Sequence, residues 1–203
     1  MRSMRRRAAA VGFACAIGAA AVPATSSASC RAFSKKDLVI GWDTNIGAYM
    51  RGHVDAAAAV WDAKTNVNFT NSPELATVDV RVRMMDIQAW PFSQAANVWG
   101  FTTWPCNAAG GGNGQSVVYL DTQYVAVMTG AKRDVWARNL AAHEIGHAIG
   151  LDHNQASSGK CADGTAKPTT VMYDPIVKYS NGGICGFYEP TTDDINAVNA
   201  LYK

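Results

Sequence analysis

The segment His143-Glu144-Ile145-Gly146-His147-Ala148-Ile149-Gly150-Leu151-Asp152-His153 limits what this chain can become more than any other stretch. Two histidines four positions apart share one face of a helix, about one turn apart, so both imidazoles can reach a single ion. Zinc takes nitrogen or sulfur ligands in a tetrahedron, and a reactive site normally supplies three and leaves the fourth position for water. His153 is the third candidate, but it cannot follow on the same helix. Gly150 resolves this: with no Cβ it can end the helix in the left-handed conformation and return the chain beneath the metal. Glu144 sits one residue off the ligand face, placed to accept a proton from a metal-activated water without filling a coordination position. A carboxylate base beside an ion that polarises a carbonyl points to amide hydrolysis. Three of the chain's four histidines fall within these eleven residues, which chance or a core role explains poorly.

This segment, followed by Val171-Met172-Tyr173, resembles the metzincin zinc peptidases, in which the extended histidine motif is paired with a methionine turn. It is most similar to the matrixin, or matrix-metalloproteinase-like, branch. The Leu151-Asp152-His153 ending, the Met172-Tyr173 pair and the tail from Asp193 to Tyr202 carry the likeness, which is specific over the last third of the chain; upstream it is one of element order. The resemblance implies an α+β (broadly α/β) catalytic domain: a twisted, mixed five-stranded sheet, three helices and a small irregular C-terminal subdomain. It implies that Met172 forms a hydrophobic floor rather than a ligand, since a thioether is a weak partner for zinc. The strand near Trp99, Gly100, Phe101 and Thr102 would form the lower sheet edge above the cleft, where an extended polypeptide adds as a further strand. Tyr173 and Pro175 would line the pocket after the cleaved bond, although Tyr173-Asp174 between Met172 and Pro175 is one residue more than the family's usual spacing. Asp193 and Asp194 match an acidic pair that braces the active-site region. Calcium is implied near Asp121, Asp163 and the glycine-rich loop, while the second, structural zinc of the family is not expected, because His53 is the only histidine left for it.

The N-terminus reads as a secretory signal over residues 1–28: Arg2, Arg5, Arg6 and Arg7, an apolar run from Ala8 to Val22, and a small polar stretch ending Ser26-Ser27-Ala28. A lipidated Cys30 and twin-arginine export are the alternatives. Residues 29–203 would be the catalytic domain. Removing the signal turns 18 basic against 16 acidic residues into 14 against 16, a net −2. With no concentrated basic stripe, nucleic acid is not an expected partner; no later stretch is apolar enough for a membrane span. A secreted monomer acting on polypeptides is expected. Cys15 lies in the signal, and the four remaining cysteines allow three disulfide connectivities. Cys30 with Cys106 and Cys161 with Cys185 is preferred, because the second loop would enclose Met172.

Upstream, Leu38 to Trp42 reads as a strand, Ile46 to Ala63 as a helix capped by Thr44 or Asn45, and Val67 to Thr70 as a strand. Val78, Val80, Val82 and Met84 alternate with Asp79, Arg81 and Arg83, predicting a strand whose arginines form a solvated face. Val98 to Trp104 and Ser116 to Leu120 complete the sheet. The run Gly110-Gly111-Gly112-Asn113-Gly114 lacks the lysine of a phosphate loop, so nucleotide binding is discounted. Asp134 is expected to cap the motif helix, and Thr191 with Asp194 to form a capping box for the last one. The leading expectation is a secreted zinc endopeptidase; competing ones are a peptide-binding protein without turnover on the same fold, and a hydrolase acting on esters.

Overall fold

A computed structural model of the chain describes residues 32–87, 89, 99–104, 114–123, 130–161, 164, 166–173, 178–180, 183–185 and 189–203. Five strands make the main sheet: β1 (Asp37–Trp42), β2 (Asn68–Asn71), β3 (Val80–Met85), β4 (Gly100–Thr103) and β5 (Ser116–Asp121), in the order β2-β1-β3-β5-β4. The first four in that order run parallel, and β4 lies antiparallel to β5 at the edge, Thr102 opposite Val118. Parallel strands need helical crossovers, and α1 (Ala48–Lys64) supplies the one between β1 and β2. Two further helices follow, α2 (Gly130–Ala148) and α3 (Thr192–Leu201). Among the described residues the main sheet is mixed and five-stranded and is accompanied by these three helices, as expected.

Period-two burial sets the sheet's inner face. Leu38, Ile40, Val80, Val82, Val118 and Leu120 are buried against Met50, Val54 and Trp61 of α1 and Leu140, Ile145 and Ile149 at and just beyond α2. On the opposite face Arg81 and Arg83 are not simply solvated. Asp43, only 7% exposed, takes Arg81 Nε at 2.6 Å and Arg83 Nε at 3.2 Å, and a buried carboxylate needs such partners.

Three local expectations are corrected. Asn45 does not cap α1; Gly47 stands at that position, and the Asn45 amide donates instead to the Met84 carbonyl at 2.5 Å, tying the turn after β1 to β3. Asp134 does not cap α2, which begins at Gly130; its carboxylate accepts the Tyr49 hydroxyl at 2.8 Å, joining α2 to α1. The segment after the motif holds regular structure as well: two small antiparallel hairpins, β6 (Ser157–Lys160) with β7 (Ala166–Pro168), and β8 (Lys178–Ser180) with β9 (Gly183–Cys185). Short strands rich in Gly, Ser and Lys carry no hydrophobic alternation from which to read them. The last helix follows its signals, with the Thr191 N–H donating to Asp194 Oδ2 at 2.9 Å in a capping box.

Tyr202, just beyond α3, is tied back to the segment ahead of β1 and to the end of α1. Tyr202 is buried, its hydroxyl accepts the Phe33 N–H at 3.2 Å and its carbonyl accepts the Asn66 amide at 3.0 Å. Burial raises its phenol from 10.0 to about 12. An unfolded chain therefore releases this proton near pH 10 while the folded one holds it, so the stabilisation is complete below pH 10 and declines between about 10 and 12. In urea titrations Tyr202→Phe should show a shallower loss of stability across that window than the wild type. An equally steep loss would mean that Tyr202 is not the group responsible.

Candidate active site

Helix α2 carries Leu140, His143, Glu144 and His147 on the side facing the sheet edge and the turn at Met172. A glycine inside a helix costs about 1 kcal/mol relative to alanine, and Gly146 shows why that cost is borne. A Cβ there would run into Met172 Sδ and stand 3.1 Å from Trp61. Met172 is 1% exposed and Trp61 fully buried, the indole donating to the Ala142 carbonyl at 3.0 Å. Met172 thus packs against the motif helix, where Trp61 and Gly146 adjoin it. Sequence reasoning missed both, although a glycine between two histidines of a helix was the available sign of close packing.

The helix ends in a Schellman motif. Leu151 N–H donates to Gly146 O at 3.0 Å, Gly150 N–H to His147 O at 2.9 Å, and Gly150 has φ +104°. The chain then runs extended, and the Asn154 N–H is pinned to the Met172 carbonyl at 2.9 Å. His153 is delivered from this stretch. The three rings form one cluster, their candidate ligand nitrogens all within 4.8 Å of one another, with ring centroids 4.7 to 5.2 Å apart.

Hydrogen bonds decide which nitrogens face inward. His143 Nδ1 lies 2.8 Å from Val171 O, and His147 Nδ1 lies 2.7 Å from Leu151 O. A carbonyl only accepts, so each Nδ1 is the protonated nitrogen and each Nε2 of a neutral ring presents a lone pair. Burial, and then the neighbouring His147, push the His143 imidazole down to about 3, which keeps it neutral. The two Nε2 atoms meet 3.1 Å apart. Two lone pairs aimed at each other repel unless a cation lies between them, and nitrogens bound to one tetrahedral zinc at about 2.0–2.1 Å stand roughly 3.3 Å apart. The cluster therefore fits a zinc site, and its Nδ1–H to carbonyl pairs are the outer contacts that orient metal-binding histidines.

Behind His143 stands a buried carboxylate. Asp194, 2% exposed, accepts the Val171 N–H at 3.0 Å, the Thr191 hydroxyl at 2.8 Å and the Thr170 hydroxyl, while Met172 N–H donates to Thr170 Oγ1 at 3.0 Å. The acidic brace is Asp194; Asp193 is exposed.

Glu144 is 2% exposed and reaches the strand edge. Thr102 Oγ1 lies 2.7 Å from Glu144 Oε2 and 3.0 Å from the Glu144 carbonyl. A Cβ on Gly100 would stand 2.7 Å from Glu144 Oε1, so any side chain there would require the carboxylate to shift. Trp104 Nε1 donates to the His147 carbonyl at 3.0 Å.

Of the other expected residues, Trp99 precedes β4 and its carbonyl accepts the Asp121 N–H at 2.9 Å. Phe101 turns to the opposite sheet face and stacks on Tyr119 at 4.4 Å, so its side chain does not join the cluster. Tyr173 is half-buried beside Met172. Pro175, Cys30, Cys106 and Asp163 lie outside the described residues, as does the Cys185 side chain. Cys161 is buried and disulfide-bonded. Asp121 is fully buried and caps the Gln123 N–H at 2.7 Å. Among the described residues the imidazole trio is the one group of His, Cys, Asp or Glu side chains gathered closely enough to hold a metal. His53 stands apart, edge-on to Tyr49 at 4.7 Å and 3.7 Å from Asp134.

A family model described as matrixin matches residues 43–203. The chain belongs to the matrixin family. That membership makes it a metallopeptidase-type protein of a family that binds zinc and acts on polypeptides. No curated protein matches this matrixin.

Asp194→Ala should lower stability by about 3–5 kcal/mol, since several buried donors would lose their acceptor. It should also weaken zinc binding by roughly 10- to 100-fold through the slackened Val171 contact to His143. Urea unfolding and competition with a zinc indicator would measure the two effects; wild-type values for both would refute the brace.

Proposed function

We propose that this matrixin is a secreted zinc endopeptidase in which His143, His147 and His153 hold the metal and Glu144 is the general base. The observation that carries the reading is the pair of Nε2 lone pairs 3.1 Å apart, each ring fixed by an Nδ1–H to carbonyl bond. Zinc bound there would lower the pKa of water to about 7 and polarise the scissile carbonyl. Glu144 accepts a proton from the attacking water and returns it to the leaving amine. Burial of the carboxylate against β4 keeps it out of bulk solvent.

The substrate lies along β4. Among the described residues this strand pairs only with β5, and its outer row of N–H and C=O groups suits a polypeptide adding as a strand across the cleft. Trp99 to Thr102 contribute backbone to that contact, and Tyr173 with Pro175 contributes the pocket wall beyond the scissile bond. Export with removal of residues 1–28 agrees with the basic and apolar leader, and a Cys161 to Cys185 disulfide would brace the loop that carries Met172. The enzyme acts as a monomer in this reading.

Glu144→Gln should still bind one zinc per chain yet lose casein cleavage by a factor of at least 10³, and a zinc chelator should abolish wild-type cleavage reversibly. Substantial cleavage by zinc-loaded Glu144→Gln would end the general-base assignment. Stoichiometric peptide binding without turnover by the wild type would favour a binding protein instead.

A further inference from the structure

Strand β4 touches helix α2 through alternate residues, and the contacts follow both periodicities. Positions 100, 102 and 104 face the helix and meet residues 140, 144 and 147, which share one helical face. Gly100 stands against Leu140 and the Glu144 carboxylate, Thr102 bonds the Glu144 side chain and carbonyl, and Trp104 bonds the His147 carbonyl. The substrate edge and the helix bearing the base are thereby fastened to each other at the reacting centre.

Resting on the proposed general-base role of Glu144, we infer that Thr102 is a positioning residue for that base, its hydroxyl fixing Oε2 while the missing side chain of Gly100 accommodates Oε1. A glutamate has three side-chain torsions, and a base gains from being held in one of their combinations before the water arrives. Thr102 is suited to this task by its own constraint. As a β-branched residue in a strand it has a restricted χ1, and its backbone is fixed opposite Val118. The hydroxyl therefore reaches the carboxylate from a rigid mount. Its single proton goes to the nearer acceptor, Oε2 at 2.7 Å, with the Glu144 carbonyl at 3.0 Å. In the proposed reaction the carboxylate held in this way takes the proton of the attacking water. The side chain of Thr102 is thus turned from the outer edge that would meet substrate, and only its backbone is available there.

The test compares Thr102→Val, which keeps the shape and loses the hydroxyl, with Thr102→Ser, which keeps the hydroxyl, on zinc-loaded full-length protein and one fluorogenic peptide. Thr102→Val is expected to lower kcat by about 10- to 100-fold with KM changed less than twofold, at unaltered zinc stoichiometry and a Tm within a few degrees of wild type. Thr102→Ser should recover most of kcat. In a Glu144→Gln background Thr102→Val should cause no further loss, because its effect passes through the carboxylate. A wild-type kcat for Thr102→Val, or an equal loss in both backgrounds, would overturn the inference while leaving the general base in place. A loss expressed only in KM or only in Tm would also overturn it. Wild-type turnover by Glu144→Gln would instead overturn the reading on which it rests. If Thr102→Val does not fold, Thr102→Ser alone decides: a kcat as low as expected for the valine variant contradicts the role of the hydroxyl.

Discussion

Two hydrogen bonds from ring nitrogen to backbone carbonyl govern the site. Val171 O holds His143 Nδ1 and Leu151 O holds His147 Nδ1, and with both donors spent the remaining lone pairs can only point at each other. Folding energy gathered elsewhere is used to keep two like dipoles face to face, an arrangement that a cation relieves. The glycine turn contributes twice. Its left-handed residue closes the helix by a bond from Leu151 N–H, which sets the Leu151 carbonyl beneath His147, and it sends the chain back with His153. The other carbonyl is fixed through Asp194, whose carboxylate holds the Val171 peptide from the start of the last helix. A residue 51 positions beyond His143 thus helps to aim its ring.

The rest of the fold places a strand edge beside this cluster. The hydrophobic interior between the sheet and helices α1 and α2 sets the helix height, and Trp61 and Met172 fill the space beneath Gly146. The glycines at positions 100 and 146 let the strand, helix and turn approach closely, and a Cβ at either would force its neighbours to shift. Close packing of this kind leaves little freedom for individual groups to shift, which suits a centre whose parts must meet within a few tenths of an ångström.

Much of this was legible in the sequence because the signals are local and periodic. The histidine spacing, the helix-ending glycine, the alternation in β3 and the Thr191 and Asp194 cap each encode geometry within a few residues. The order along the chain of the five main-sheet strands and of α1 to α3 followed from them and from the family likeness. What escaped reading depends on distant partners. Asn45 and Asp134 look like caps by composition, but each finds a better acceptor or donor on another element. Phe101 and Thr102 are neighbours in one edge strand, yet pleating sends one to Tyr119 and the other to Glu144. Trp61 and Trp104 are aromatic residues like any others until the helix carbonyls they bond are known. The two hairpins after the motif, poor in alternation, offered nothing to read.

Zinc K-edge X-ray absorption on protein loaded with one equivalent of metal, compared between wild type and His153→Ala, tests the convergence of the three rings most directly. Three imidazole nitrogens at about 2.0–2.1 Å with one oxygen, falling to two imidazoles in the variant, is the expected spectrum. A wild-type zinc bound by fewer than three imidazoles, or by sulfur, would contradict it, as would a first shell unchanged by removing His153.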